Sequence, residues 1–227
     1  MKTQLIINNE AVDASNGATF ERLNSLTGKL VTQGAAATVA DANKAADTAA
    51  TAFKTWSETG PTERRLLLLK AADLLESKTN DFIQAMAAEV GASALWAGFN
   101  VMMAAGLFRE AASLTTQIQG ETIPTDKPDT LSMTFRQPVG VVPSMAPWNG
   151  PIALAARSIA YPIACGNTVV FRASEVSPKT HMLVVDACLE AGLPPGVLNV
   201  ITHASEDAAD ITEALIAHPA IRRINFT

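Results

Sequence analysis

"VGVVPSMAPWNGPIALAARSIAYPIACGNTVVFRASE" (residues 139–175) is the stretch that decides the fold. Its first part, VGVVPSM, is a continuous apolar run, which is typical of a strand buried in a parallel sheet. GPIALAARSIAYPIA then indicates a helix, and NTVVFRA indicates a second strand. Residues 137–156 form a run of 20 without a charge, but repeated prolines and glycines exclude a membrane-spanning helix.

The same alternation continues downstream to residue 227. SPKTHMLVVDACLEAGLPPG predicts a helix with Ser177 as N-cap, Pro178 in its first turn and Gly192 as C-terminal cap. VLNVIT predicts a strand, SEDAADITEALIAHP a helix capped by Ser205, and IRRINFT a final strand. Residues 139–227 therefore predict β-α-β-α-β-α-β, an α/β fold with a Rossmann-like parallel sheet and right-handed crossovers.

A helix-rich segment precedes this region. Residues 1–37 mix short apolar pieces with turn residues, which indicates strands and a hairpin. Residues 38–120 are expected to be helical: an alanine-rich helix over 39–57, one or two helices up to Gly91, and another from about Leu95 to Gln119. Residues 121–138 include LSMTFRQP, which alternates as an exposed strand or hairpin does.

Composition excludes several classes of function. The chain has 227 residues and a net charge of −5 without a basic cluster, which argues against nucleic acid as a partner. Its two cysteines lie 23 residues apart, and without CxxC or HExxH motifs the sequence predicts no metal site. The N-terminus has no apolar signal segment, so we expect a cytoplasmic protein without membrane contact.

Ligands of parallel α/β sheets bind at the carboxyl ends of the strands. In this sequence those ends are 144–149, 172–175, 202–205 and 226–227. No G-x-G phosphate fingerprint occurs, so the residues alone leave NAD as a candidate ligand only. The fourth strand would end where a functional loop should follow, so we expect the sequence to be part of a longer chain.

Several stretches resemble the aldehyde dehydrogenase superfamily in order and spacing. They are PWN, GNTVVFRASE, AGLPPGVLNV and HPAIRRINFT, with FKTWSETGPTERRLLLLKAADLLE and QGETIP upstream. The resemblance implies oxidation of an aldehyde to an acid with NAD(P)⁺, in which a cysteine thiolate attacks the carbonyl and a glutamate activates water. It also implies that both groups lie beyond residue 227 in a missing catalytic domain, and that the complete enzyme is a homodimer or homotetramer.

PIALAARSIAYPIACGNTVVFRASE and VLNVITHASED look most similar to the salicylaldehyde dehydrogenases of aromatic degradation. This closer likeness implies an aromatic aldehyde such as salicylaldehyde as the small-molecule substrate.

The resemblance assigns Asn149 the role of donating an amide N–H to the developing oxyanion. From the residues alone, Asn149 could equally cap the following helix. The cofactor site implied by the family comprises Ser144, Met145, Ala146, Pro147, Trp148, Arg172, Ala173, Ser174, Glu175, Phe226 and Thr227.

In the family, the positions of Arg172 and Glu175 contact the adenosine ribose. A glutamate there accepts from both ribose hydroxyls and repels a 2′-phosphate, which favours NAD over NADP. The family usually has lysine at position 172, and arginine changes the geometry, so some use of NADP stays open. The alternative for RASE is a helix-capping turn.

Arg157 is the only fixed charge between Gln137 and Phe171. We expect it to be buried two helical turns beyond Asn149, where it either pairs with a carboxylate or binds a polar substituent of an aromatic aldehyde. Cys165 is expected to be a buried structural cysteine and not the nucleophile. A surface position is expected for His181 and a helix-end position for His218. The resemblance places His203 where the family often has a glycine near the cofactor, and a surface histidine is an equal alternative.

Three functions follow from these observations. The first is the cofactor-binding part of an NAD-dependent aldehyde dehydrogenase. The others are a non-catalytic nucleotide-binding module and an assembly domain. An oxyanion donor at Asn149 favours the enzyme, because a binding module has no use for one.

Overall fold

The computed structural model describes all 227 residues. Eleven strands and seven α-helices follow one another along the chain. The first half holds strands β1 to β5 and helices α1 to α4: β1 Lys2–Thr3, β2 Leu5–Ile7, β3 Glu10–Val12, β4 Thr19–Leu23, β5 Leu30–Ala35, α1 Val39–Trp56, α2 Pro61–Ser77, α3 Thr79–Val90 and α4 Ala94–Leu114. The second half holds β6 Thr122–Ile123, β7 Ser132–Met133, β8 Val141–Met145, α5 Pro151–Ala164, β9 Thr168–Arg172, α6 Pro178–Ala191, β10 Leu198–Ile201, α7 Ala208–Ala217 and β11 Asn225–Phe226.

The main sheet has six strands in the order β11-β8-β9-β10-β2-β3. The first four are parallel, and the N-terminal β2 and β3 extend the sheet in antiparallel pairing beyond β10. The predicted alternation of strands and helices and the parallel α/β sheet are therefore confirmed. A separate three-stranded sheet, β1-β5-β4, and a two-stranded one, β6-β7, complete the fold.

Both faces of the main sheet are covered by helices. Because side chains alternate along a strand, Val169 and Phe171 belong to the larger apolar cluster and Val170 to the smaller one. Helices α2 to α6 pack on the larger cluster, and α1 and α7 on the smaller one. Coverage of both faces accounts for the uninterrupted apolar character of these strands.

Several predicted elements are shorter than their sequence patterns suggest. LSMTFRQP forms a strand only at Ser132–Met133, and the exposed side chains around it have no core to pack against. IRRINFT pairs regularly only at Asn225–Phe226, since Arg222 and Arg223 face solvent. No helix in the structure is both long and apolar enough to cross a membrane.

Of the two predicted serine caps, Ser177 is confirmed in position only and Ser205 is wrong. Ser177 occupies the N-cap position of α6, but its hydroxyl makes no capping bond. The Glu89 carboxylate reaches the same end of the helix from α3 and accepts the N–H groups of Lys179 and Thr180 at 2.8 and 2.9 Å. Ser205 instead begins a 3₁₀ turn, and α7 starts only at Ala208.

Candidate functional site

The register of the parallel strands brings the predicted site loops to one edge of the sheet. Met145 pairs with Arg172, Arg172 with Ile201, and Phe226 with Met145. These four residues form one row across the sheet, and the chain leaves each strand at the same edge. Residues that follow them are therefore close together, although they are distant in sequence.

The turn after β8 carries Asn149. Trp148 and Asn149 are exposed, and the N-cap position of α5 is Gly150, where no side chain makes a capping bond. The side-chain amide of Asn149 is thus free, and the helix-cap alternative has no hydrogen bond to support it. Such an amide can donate to an oxyanion without any change in its own charge.

The α4 helix supports this turn from below. The Trp96 indole N–H donates to the Asn149 carbonyl at 3.3 Å. Asn100 is buried and donates from Nδ2 to the Trp96 carbonyl at 3.1 Å. A β-carbon at residue 150 would lie 3.3 Å from the Asn100 Oδ1, so glycine there permits a close approach between turn and helix. These contacts fix the backbone of the turn and leave the Asn149 amide free.

The loop after β9 presents a carboxylate without a partner. Ser174 forms the turn, because its hydroxyl accepts the Val176 N–H at 3.2 Å. Glu175 is half-buried and makes no hydrogen bond or salt bridge. The Arg172 Nε is buried and unpaired, and burial lowers the pKa of this guanidinium while Glu175 opposes the shift. In RASE, Ser174 therefore makes a turn, as the alternative expected, and Glu175 remains free to bind a ligand.

A groove of about 330 Å³ opens beside Glu175. Its wall comprises β4 residues and the segment from Ala204 to Glu206. The Glu175 carboxylate lines this groove and has free acceptors for the hydroxyls of a ribose, so the residues present fit a nucleoside. Glu21 and Glu206 add two further carboxylates to the groove and Arg22 one cation, so the lining is negative on balance, which disfavours an extra phosphate.

The other predicted cofactor residues differ in exposure. Ser144 donates its hydroxyl to the Ser158 carbonyl at 2.8 Å and is directed toward α5. The buried members of the set are Ser144, Met145, Ala146, Ala173 and Ser174; the half-buried ones are Pro147, Arg172 and Glu175; the exposed ones are Trp148, Phe226 and Thr227. Ligand contact from the buried members would come from backbone groups.

Arg157 is exposed, so the expectation of burial is wrong. Its Nη2 lies 3.4 Å from the Thr227 Oγ1, and it forms no salt bridge with any carboxylate of this chain. The α5 helix turns this position away from the core, so the guanidinium keeps its contact with solvent. Its place beside the end of β11 leaves its donors open to a ligand.

Neither cysteine has the surroundings of a nucleophile. Cys165 is exposed, which contradicts the expected burial: the turn before β9 directs its side chain into a surface groove. Desolvation by neighbouring protein atoms nevertheless raises the pKa of its thiol, although Arg64 opposes the shift. Val141 pairs with Thr168, so Cys165 lies at the amino edge of the sheet, a strand length of roughly 16 Å from the Asn149 turn. Cys188 is buried, and burial raises its pKa to about 12.

His181 was expected at the surface and is buried, and the surface alternative for His203 is wrong as well. His181 and His203 have no exposed area, and burial lowers the pKa of each imidazole. His181 lies in α6 and His203 follows β10, and other parts of the chain cover both positions. His218 follows α7 as expected, and its Nε2 lies 3.2 Å from the Asp47 carboxylate.

Sequence reasoning missed Glu89 entirely. This carboxylate is fully buried, accepts from Lys179, Thr180 and Thr32, and burial raises its pKa. A glutamate in the apolar sequence AMAAEVG was the available signal, because a charge in such a place needs partners.

Comparisons with known proteins match the whole chain or nearly all of it. The sequence model described as "Aldehyde dehydrogenase family" matches residues 12–227. Salicylaldehyde dehydrogenase from Pseudomonas sp. (strain C18) is 61% identical over 227 residues, which are 100% of this chain and 47% of that protein. Vanillin dehydrogenase from Pseudomonas fluorescens is 53% identical over 223 residues, 98% of this chain and 46% of that protein.

A solved structure agrees with this match. The crystal structure of a salicylaldehyde dehydrogenase from Pseudomonas putida G7 complexed with salicylaldehyde has a TM-score of 0.98 and 61% identity. The alignment covers 100% of this chain and 47% of that chain. The chain thus spans about half the length of the curated relatives it matches.

Proposed function

The chain belongs to the aldehyde dehydrogenase family, and we propose that it provides the cofactor site and the oxyanion donor of an NAD-dependent enzyme for aromatic aldehydes. The product is the corresponding carboxylic acid, such as salicylate from salicylaldehyde. The observation that carries this proposal is the free side-chain amide of Asn149 at the carboxyl edge of the sheet, beside the unpaired Glu175 loop.

Asn149 acts on the aldehyde oxygen. Negative charge develops on that oxygen when a nucleophile adds to the carbonyl carbon, and the amide N–H donates to it. The contacts from Trp96 and Asn100 hold the turn before the reaction begins, so little reorganisation is needed when the charge appears. Loss of one such donor typically lowers kcat about 10²- to 10³-fold.

Glu175 and Arg172 are proposed to hold the adenosine ribose. The free carboxylate accepts from the two ribose hydroxyls, and its charge disfavours a 2′-phosphate, so we propose NAD over NADP. Bound NAD⁺ supplies a hydride acceptor for the aldehyde carbon. The backbone of the loop from Ser144 to Trp148 completes this site from the neighbouring strand.

The nucleophile and the general base are proposed to lie outside residues 1–227. Cys165 lies at the other edge of the sheet, Cys188 is buried, and both thiols have a raised pKa. A thiol with a raised pKa has little thiolate at neutral pH and is a poor nucleophile. We also propose that the complete enzyme is a homodimer or homotetramer.

Arg157 is proposed to select the substrate. Its exposed guanidinium has no carboxylate partner in this chain, so it can donate to the ortho-hydroxyl of salicylaldehyde. The names of the relatives support an aromatic substrate, since they act on salicylaldehyde and vanillin.

The function is tested with the full-length protein encoded by the natural gene. NADH formation is followed with salicylaldehyde, vanillin, benzaldehyde and an aliphatic aldehyde, each with NAD⁺ and with NADP⁺. We expect the highest kcat/KM with an aromatic aldehyde and NAD⁺. Binding of NAD⁺ without oxidation of any aldehyde would instead support a nucleotide-binding module.

A further inference from the structure

His181 lies beneath both site loops. It is in the first turn of α6, has no exposed area, and packs edge-on against Phe171 with ring centroids 5.2 Å apart. Its Nδ1 accepts the backbone N–H of Ser174 at 3.1 Å. The backbone of Pro147 and of Pro151, which flank Asn149, is close enough to the ring to influence the pKa of the imidazole, but Nε2 makes no hydrogen bond.

The hydrogen bond from Ser174 determines the tautomer. Because Nδ1 is an acceptor, the single proton of the neutral ring is on Nε2. Burial lowers the pKa of His181 to about 3, so the ring is neutral throughout the physiological range. The Nε2–H is buried and makes no hydrogen bond, and the nearby backbone of Pro147 and Pro151 offers it carbonyl oxygens and no competing N–H.

One ring therefore contacts the two loops that the proposed reaction needs. Ser174 precedes Glu175, which is proposed to hold the ribose, and the prolines enclose the turn that presents Asn149. These loops leave neighbouring strands and have no side-chain hydrogen bond to each other, so their relative placement depends on what packs below them. Reaction rates are sensitive to shifts of about 1 Å in such placement.

We propose that His181 is a positioning residue, which holds the loop from Arg172 to Glu175 and the turn from Pro147 to Pro151 in one arrangement for cofactor and aldehyde. This inference rests on the proposed function. His181 does not touch the substrate or the cofactor, and acts only through the backbone of the two loops. Its neutral ring provides one acceptor for the first loop and one donor toward the second.

The variants separate these two contacts. His181→Phe keeps an aromatic ring but removes both the acceptor and the donor. His181→Asn keeps an acceptor near the position of Nδ1, so the Ser174 bond can form, but its shorter side chain does not reach the prolines. Val184→Ala is the matched control, because it removes volume from an equally buried position about one turn further along the same helix and removes no hydrogen-bonding group.

The full-length protein is examined by hydrogen exchange without substrate, by NAD⁺ titration and by steady-state kinetics. We expect His181→Phe to accelerate exchange in peptides covering both loops, to weaken NAD⁺ binding about 10-fold and to lower kcat about 10-fold, as loss of a buried hydrogen bond implies. His181→Asn should bind NAD⁺ within about 2-fold of wild type, since the Ser174 acceptor is retained, and still show lowered kcat. Val184→Ala should lower Tm but leave NAD⁺ binding and kcat unchanged.

Two failures are distinguishable. In the first outcome, the wild type is active, and the His181 variants show a lower Tm with unchanged NAD⁺ binding and kcat, as Val184→Ala does. This outcome would overturn the positioning role and leave the proposed function intact. The same conclusion follows if His181→Phe does not fold and His181→Asn keeps the kcat of wild type. A wild type that neither binds NAD⁺ nor oxidises aldehydes overturns the proposed function and this inference with it.

Discussion

Glu89 and Thr180 join the helical first half of the chain to the Rossmann-like second half. One carboxylate oxygen of Glu89 accepts both the N–H and the hydroxyl of Thr180, at 2.9 and 2.8 Å. The other oxygen accepts from the Thr32 hydroxyl and the Lys179 N–H. A buried carboxylate on α3 thus caps α6 and connects it to β5.

Replacement of Glu89 should therefore destabilise the fold. Glu89→Ala leaves buried N–H groups without an acceptor, and we expect the free energy of unfolding to fall by about 3 kcal/mol. Glu89→Gln should lose less, because its carbonyl oxygen still accepts. Denaturant unfolding measures both. A loss of no more than about 0.5 kcal/mol for Glu89→Ala would contradict the capping role, because surface-like substitutions change stability by no more than that.

The buried His181 predicts a loss of stability on acidification. Its pKa is about 3 in the folded protein against an ordinary value of 6.5, so only the unfolded chain binds a proton between these pH values. Stability should fall as pH decreases through this window, by up to about 1.4 kcal/mol per pH unit from this group. His181→Asn removes this titrating group, so the stability of the variant should depend less on pH over the same range. Parallel stability curves for wild type and variant from pH 7 to pH 5 would contradict the assignment.

Glu175 should decide the choice of cofactor. Glu175→Gln keeps a side chain of similar size but removes the charge, so we expect NAD⁺ affinity to fall about 10-fold and discrimination against NADP⁺ to weaken. Isothermal titration with each cofactor measures both effects. Glu206→Gln is the control, because it removes a charge from the same groove. If the ratio of the Kd for NADP⁺ to the Kd for NAD⁺ is the same in Glu175→Gln as in wild type, the assignment of Glu175 to the ribose is refuted.

Arg157 should affect substrate choice and not stability. Because its side chain is exposed, Arg157→Ala should change the free energy of unfolding by no more than about 0.5 kcal/mol. We expect KM for salicylaldehyde to rise about 10-fold, the effect of one lost hydrogen bond, and KM for benzaldehyde to stay nearly constant. Arg157→Lys should be intermediate. An equal rise of KM for both aldehydes would remove the physical support for a hydroxyaromatic substrate.

The sequence was sufficient to predict the parallel sheet and the edge that carries the site. Apolar strands and capped helices alternate from residue 139, and the carboxyl ends of parallel strands share one edge. The row of Met145, Arg172, Ile201 and Phe226 follows from that topology.

Burial of individual polar residues was not predictable, because it depends on distant elements. The α6 helix packs between the sheet and both α2 and α3, which buries His181 and leaves its N-terminus to Glu89. No local pattern places α3 beside α6. Cys165 shows the converse, since apolar neighbours in sequence did not prevent its side chain from facing a surface groove.

The most direct test of the central claim is the kinetics of Asn149→Ala in the full-length protein, with Asn149→Asp as a second variant. An oxyanion donor acts on the transition state and not on the bound cofactor, so kcat for salicylaldehyde should fall about 10²- to 10³-fold while the Kd for NAD⁺ stays unchanged. Asn149→Asp should be at least as slow, because a carboxylate repels the oxyanion. Full turnover with weakened NAD⁺ binding in Asn149→Ala would contradict the account.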